Sequence, residues 1–196
     1  MKLKSLLCIS ILAASTFFLN GCGDDEKSPS LLFKSSEGDV IDLKGANLYL
    51  ASEDEYNGHI YRDYFISDGE LKEGAENGWG LGHYNGATYY LAIELGVPAG
   101  DDFAAGDYPL SNWSEAEADE NWSYIELKNE NEYYNSTYNM DLVTVSGGFD
   151  DGDKMTVKFK GELTYYYDYT EESGWEEKDV TGEFYYSGKI IDKRPL

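Results

Sequence analysis

Met155-Thr156-Val157-Lys158-Phe159-Lys160-Gly161-Glu162-Leu163-Thr164-Tyr165 keeps one alternating phase for its whole length. Successive side chains of an extended strand point to opposite faces. Met155, Val157, Phe159, Leu163 and Tyr165 therefore share one face, and Thr156, Lys158, Lys160, Glu162 and Thr164 the other. An apolar face backed by a polar one reads as a half-buried antiparallel strand.

The same period recurs elsewhere. Val180, Phe184, Tyr186 and Ile190 fall on one face, with Thr181, Glu183, Ser187 and Lys189 opposite. Tyr89, Leu91, Ile93 and Leu95 repeat the pattern between Gly86 and Gly96. Weaker runs cover 40–43, 47–51, 59–66, 122–128 and 141–146, separated by turn dipeptides such as Asp68-Gly69, Asn85-Gly86 and Asp151-Gly152. About eight short strands with turns between them define an all-β chain, an antiparallel β-sandwich of immunoglobulin-like or jelly-roll-like architecture, with a partly open barrel as the alternative. Asp151-Gly152 is expected in the tight turn of a hairpin joining 141–146 to 153–165. One or two turns of helix are allowed at Ser114-Glu115-Ala116-Glu117, which has the spacing of a capping box.

The chain of 196 residues carries 15 Lys and Arg against 38 Asp and Glu, a net charge of −23. A duplex nucleic acid needs clustered cations to displace its counterions, so that partner is excluded. With 41% hydrophobic and 15% aromatic residues, the composition is that of a folded domain despite its charge.

Met-Lys-Leu-Lys opens the sequence, an apolar run follows from Leu6 to Leu19, and Leu19-Asn20-Gly21-Cys22 closes it. A basic start and a short apolar core fit a secretory signal peptide over residues 1–21. The Leu-x-Gly-Cys ending resembles the lipobox of bacterial lipoproteins, and that resemblance implies acylation of Cys22 and cleavage before it. Cys8 leaves with the signal, so Cys22 has no partner for an internal disulfide, and acylation removes an exposed thiol. Two or more acyl chains on one residue anchor a protein stably in a membrane. Residues 22–30 read as the acylated cysteine and a polar tether, able to span about 27 Å from Gly23 to Ser30 at about 3.4 Å per residue. Residues 31–196 then form a single β-sandwich domain.

Asp24-Asp25-Glu26 behind the cysteine resembles the export signal of surface-exposed lipoproteins in Bacteroidetes-type Gram-negative bacteria. Tyr90-Leu91-Ala92-Ile93-Glu94-Leu95 followed by Ala105-Gly106-Asp107-Tyr108, and Val143-Thr144-Val145-Ser146-Gly147 with Val180-Thr181-Gly182, are similar to strand-and-glycine patterns in small β-sandwich lipoproteins of that group. The resemblance implies a lipid-anchored, outward-facing protein of the outer membrane. It carries over no activity and no site residue other than Cys22.

Chemical motifs are sparse. No Gly-x-Ser-x-Gly elbow occurs, and His59 and His83 are the only histidines, without metal-binding spacing. The expected function is a non-enzymatic interaction module that binds a surface partner, protein or glycan, or forms part of an envelope assembly. One alternative is a carbohydrate-binding lipoprotein that uses exposed Tyr and Trp rings. A second is a small carboxylate-dependent hydrolase, for which Glu94 is the first acid to inspect. The chain holds 18 Tyr and 4 Trp. Adjacent tyrosines on a strand point to opposite faces, so pairs such as Tyr185-Tyr186 must place a ring outside a single-sided core. Trp79, Trp113, Trp122 and Trp175 lie in or beside expected loops, which makes them candidate rim residues of a binding face. Hard oxygen ligands suit calcium, and Asp150, Asp151 and Asp153 are its candidate ligands, although the EF-hand pattern fails at its twelfth position, Gly161.

Overall fold

The computed structural model describes residues 30–38, 40–72, 81–111, 119–128, 133–136, 142–170 and 174–195. The described residues form thirteen strands and one turn of 3-10 helix at Leu81–His83. In chain order the strands are β1 (Ser30–Ser35), β2 (Val40–Lys44), β3 (Asn47–Tyr56), β4 (His59–Ser67), β5 (Glu70–Leu71), β6 (Tyr84–Asn85), β7 (Tyr90–Pro98), β8 (Gly106–Pro109), β9 (Trp122–Lys128), β10 (Tyr133–Ser136), β11 (Leu142–Gly147), β12 (Lys154–Thr170) and β13 (Gly174–Asp192). The capping-box segment, Trp79, Trp113 and the residues up to position 29 lie outside the described residues.

Eleven strands join in the order β2-β1-β13-β3-β4-β7-β9-β10-β12-β11-β8, and β12 also pairs with β13. That last pairing doubles the sheet over on itself, so its inner faces close on one core. The fold is an all-β sandwich. Two features depart from the sequence reading. β12 and β13 run for 17 and 19 residues, more than the short strands expected. The sheet is also not wholly antiparallel, since Ile190–Asp192 pairs in parallel with Leu48–Leu50.

The alternation in β12 and β13 holds. Met155, Val157, Phe159, Leu163 and Tyr165 are all buried, as are Val180, Phe184, Tyr186 and Ile190. The core includes stacked rings, with Tyr134 and Tyr165 at 4.5 Å and Phe159 and Phe184 at 5.6 Å. Among the described residues the buried apolar side chains lie between Leu31 and Ile190.

Between β11 and β12 the connection is a loop and not a two-residue turn, because Gly147 is the last residue paired, opposite Met155. Asp150 to Asp153 still form a tight turn, in which the Asp153 N–H donates to the Asp150 carbonyl at 3.0 Å. Gly152 adopts φ +79 there, a conformation that glycine enters without a Cβ penalty.

β7 is buried on both sides. Leu91, Ile93, Leu95 and Val97 face the main core, against which Tyr89 also packs. Tyr90 and Ala92 point the other way, into a second apolar cluster with Tyr49, Phe65, Leu71 and Tyr84. The β5–β6 hairpin supplies Leu71 and Tyr84 to cover that outer side.

Trp122 begins β9 opposite Gly96 and is 1% exposed. A Cβ on Gly96 would lie 2.0 Å from the indole Nε1. Gly96→Ala is therefore expected to displace a buried ring and to cost about 1–3 kcal/mol. For a domain of this size each kcal/mol lowers the melting midpoint by about 2–4 °C. Gly106→Ala, where a Cβ meets open space, should melt like the parent. Equal midpoints for the two variants would contradict this packing.

Candidate functional site

Of the four tryptophans, Trp122 is not a rim residue. Its ring fills the space above Gly96 and stands edge-on to buried His59, with ring centroids 6.4 Å apart. The flanking turn signals suggested a loop, but the glycine opposite provides the room that buries it. Trp175 falls within β13, and Trp79, Trp113 and Cys22 lie outside the described residues. The parallel ring pairs Tyr134–Tyr165 and Tyr84–Tyr90 are buried and build the interior.

Asp150, Asp151 and Asp153 turn to different donors. Asp150 Oδ1 accepts from Arg62 at 3.2 Å, Asp151 Oδ1 accepts from the Asp192 N–H at 2.9 Å, and Asp153 Oδ2 accepts from the Asp150 N–H at 3.2 Å. Arg62 also donates to Glu53 at 2.6 Å and to the Phe149 carbonyl at 3.1 Å, with its guanidinium 4.6 Å from the Phe103 ring centroid. These bonds fasten the β11–β12 loop to β4. Among the described residues no three acidic, histidine or cysteine side chains converge as a ligand set.

Two carboxyls do meet, on the outer side of β4 and β7. Asp63 lies directly opposite Glu94 in the ladder, and Tyr124 of β9 lies opposite Glu94 on its other side. Asp63 is 6% exposed and accepts a 2.5 Å hydrogen bond from Ser52, which a register shift in β3 sets beside it. Burial, then the charge of Asp63 and a hydrogen bond between the two side chains, push the Glu94 carboxyl up to about 8. Like charges this close share a proton rather than both ionise. One row along, Tyr90 donates to Glu126, and burial followed by that bond raises its phenol. Glu94 was the acid singled out from the sequence; its partner Asp63 was not.

The opposite region of the sheet, outside β2, β1, β13, β12 and β11, is chemically different. Core packing of Leu31, Phe33, Ile41, Met155, Val157, Phe159, Phe184 and Tyr186 forces the alternate residues outward. In register, Asp42, Leu32, Tyr185, Lys158 and Thr144 form one row across five strands. Lys34, Glu183 and Lys160 form the next, with Lys160 Nζ 3.7 Å from Glu183. Lys154 and Lys189 stand opposite each other at one end, and Lys44 opposite Ser30 at the β2 edge. All six lysines are exposed. Leu32 and Tyr185 are also exposed, at 36% and 43%, and line an open depression of about 310 Å³ with Lys34, Lys158 and Glu183. From the Lys154–Lys189 row to the Lys34–Glu183–Lys160 row this face carries six lysines against Asp42 and Glu183, with Asp107 at its margin, whereas farther along β12 and β13 the same side carries Glu162, Asp179 and Glu177. The lysine excess is thus confined to one half of the face, the half whose centre is apolar.

Comparison with protein-family models, curated proteins and solved structures finds no match to this chain.

The Asp63–Glu94 pair makes stability depend on pH. Glu94 binds its proton more tightly folded than unfolded, where a glutamate titrates near 4.3. Between those two values the unfolded chain holds fewer protons, so the pair's contribution is full at low pH and declines as pH rises towards about 8. Glu94→Gln, which cannot ionise, is expected to gain stability relative to the parent from pH 5 to pH 8. Melting curves of both proteins across that range test it, and parallel curves would contradict it.

Proposed function

We propose that this chain is a lipid-anchored protein of the bacterial cell envelope, carried in the outer membrane by an acylated Cys22, whose sandwich acts as a non-enzymatic interaction module. The observation that supports this best is the outer face of β1, β13 and β12. Exposed Leu32 and Tyr185 lie side by side across paired strands, in an open depression edged by lysines. Contiguous apolar surface rimmed by polar groups is typical of interaction sites, where Tyr is enriched. The lipobox-like Leu19-Asn20-Gly21-Cys22 supports the anchor.

A carboxylate-dependent hydrolase is the second reading, carried by Asp63 and Glu94. The two face each other at close range across the β4–β7 ladder with Asp63 buried, whereas glycosidase carboxyls flank an open cleft that holds the sugar and water between them. That closeness favours the interaction module. Burial of the parallel ring pairs likewise weighs against a glycan platform built on them.

Two measurements test the proposal. Cells fed labelled palmitate should yield a labelled mature protein, and Cys22→Ser should abolish both labelling and processing. Acylation also leaves the mature chain without a free thiol, so a single cysteine can report on the face. Tyr185→Cys should react slowly with a membrane-impermeant maleimide in isolated envelopes and quickly after detergent extraction. Tyr56→Cys, at an exposed turn of the β3–β4 hairpin, should react quickly in both. An unlabelled parent protein would end the anchored reading, and equal reactivity of Tyr185→Cys before and after detergent would end the docking one.

A further inference from the structure

We infer that the lysine-bearing outer face of β2, β1, β13, β12 and β11 docks on an anionic lipid headgroup surface, that of the membrane holding the anchor. The inference rests on the lipid-anchored reading above and names the occupant of the same face. Charge is the first argument. In a chain of net −23, Lys34, Lys44, Lys154, Lys158, Lys160 and Lys189 gather on this one face. Lys154 faces Lys189 directly across the β12–β13 ladder. Like charges so placed weaken a sheet, so the arrangement suits an external anion better than it suits the fold.

Chain length is the second argument. An acylated Cys22 lies eight residues before Ser30, which at about 3.4 Å per residue limits the start of β1 to about 27 Å from the bilayer anchor. β1 is not a remote strand. It runs through the face itself, between β2 and β13, and contributes Leu32 and Lys34 to it. The tether therefore delivers this face, more directly than any surface beyond β13, to the headgroups.

On the face itself Glu162, Asp179 and Glu177 lie beyond the Lys160 row, toward the opposite end of the β12–β13 ladder from Lys154 and Lys189, and the acids on the other side of the sandwich do not oppose the contact. Stacked sheets lie about 10 Å apart, and charges farther than about 8 Å are largely screened at physiological ionic strength. Carboxylates on the far side are thus muted at the membrane plane. What repulsion remains turns the acidic side away and the lysines inward. Leu32 and Tyr185, in the centre of the patch, meet the interfacial layer, where amphipathic rings are favoured.

The test uses the chain from residue 22 with Cys22→Ser, which keeps every described strand but has no lipid of its own. It is sedimented with vesicles of phosphatidylglycerol mixed with phosphatidylethanolamine, and with vesicles of phosphatidylcholine alone. Binding is expected to the anionic vesicles only, and to weaken as salt rises. A lysine near such a surface is worth about fivefold in affinity, so Lys34→Gln, Lys158→Gln and Lys160→Gln together should weaken binding on the order of 100-fold. Lys72→Gln, beside the β5–β6 hairpin and away from the face, should bind like the parent, and a shared melting midpoint confirms that the triple variant is folded. Equal binding to both vesicle types, equal binding by the triple variant, or no binding at all would overturn the inference. So would self-association of the parent that the triple variant loses, since the occupant would then be a second copy. Protection of Tyr185→Cys in envelopes without vesicle binding would leave the interaction module standing and remove the lipid surface as its partner.

Discussion

The ladder between β12 and β13 is the constraint on which the rest of the structure depends. It runs from Lys154 opposite Lys189 to Thr170 opposite Gly174, and each strand also lends its outer edge to others. β13 takes β1 and β3, and β12 takes β10 and β11. A slip of one residue would carry Met155, Val157 and Phe159 into solvent and Lys158 and Lys160 into the core. Register in this hairpin therefore sets the burial of both layers at once. It also sets the outer chemistry, because the side chains that leave the core have no other direction to take.

That coupling explains how one sandwich carries two unlike outer surfaces. Outside β12, β13 and β1 the expelled residues are lysines around Leu32 and Tyr185, giving way to Glu162, Asp179 and Glu177 farther along the ladder. Outside β4, β7 and β9 they are Asp63, Glu94, Glu126 and a layer of tyrosines, partly roofed by the β5–β6 hairpin. The first surface is open and solvated. The second is sequestered, and there burial costs are high enough that two carboxyls hold a proton near neutral pH. Net charge averages over both and describes neither.

Local pattern made the strands legible, and distance along the chain hid the rest. The faces of β12 and β13 could be read directly because each is buried on one side only. β7 could not be read fully: the burial of Tyr90 and Ala92 depends on Leu71 and Tyr84, which arrive from a hairpin with no periodic signal of its own. Trp122 suggested a rim because turn signals flank it, whereas Gly96, the residue that gives it room, is its neighbour only across a ladder. Lys158 and Lys160 were visible as one polar stripe. Their alignment with Lys34 follows from strand order, which alternation does not encode. Glu94 stood out as an acid in an apolar run, but the identity of Asp63 as its partner required the register of β4 against β7.

β13 has a kinetic meaning as well as a structural one. It seats Ser187 against Ser30 and Ile190 beside Leu48, pairs separated by nearly the whole length of the domain. Closing such long intervals is entropically slow, and sheets dominated by distant pairings fold in milliseconds to seconds. Until β13 emerges from the ribosome, β1 and β3 lack the strand that lies between them in the finished sheet. An incomplete chain is thereby held short of its final state, and the sandwich locks only when its last strand arrives.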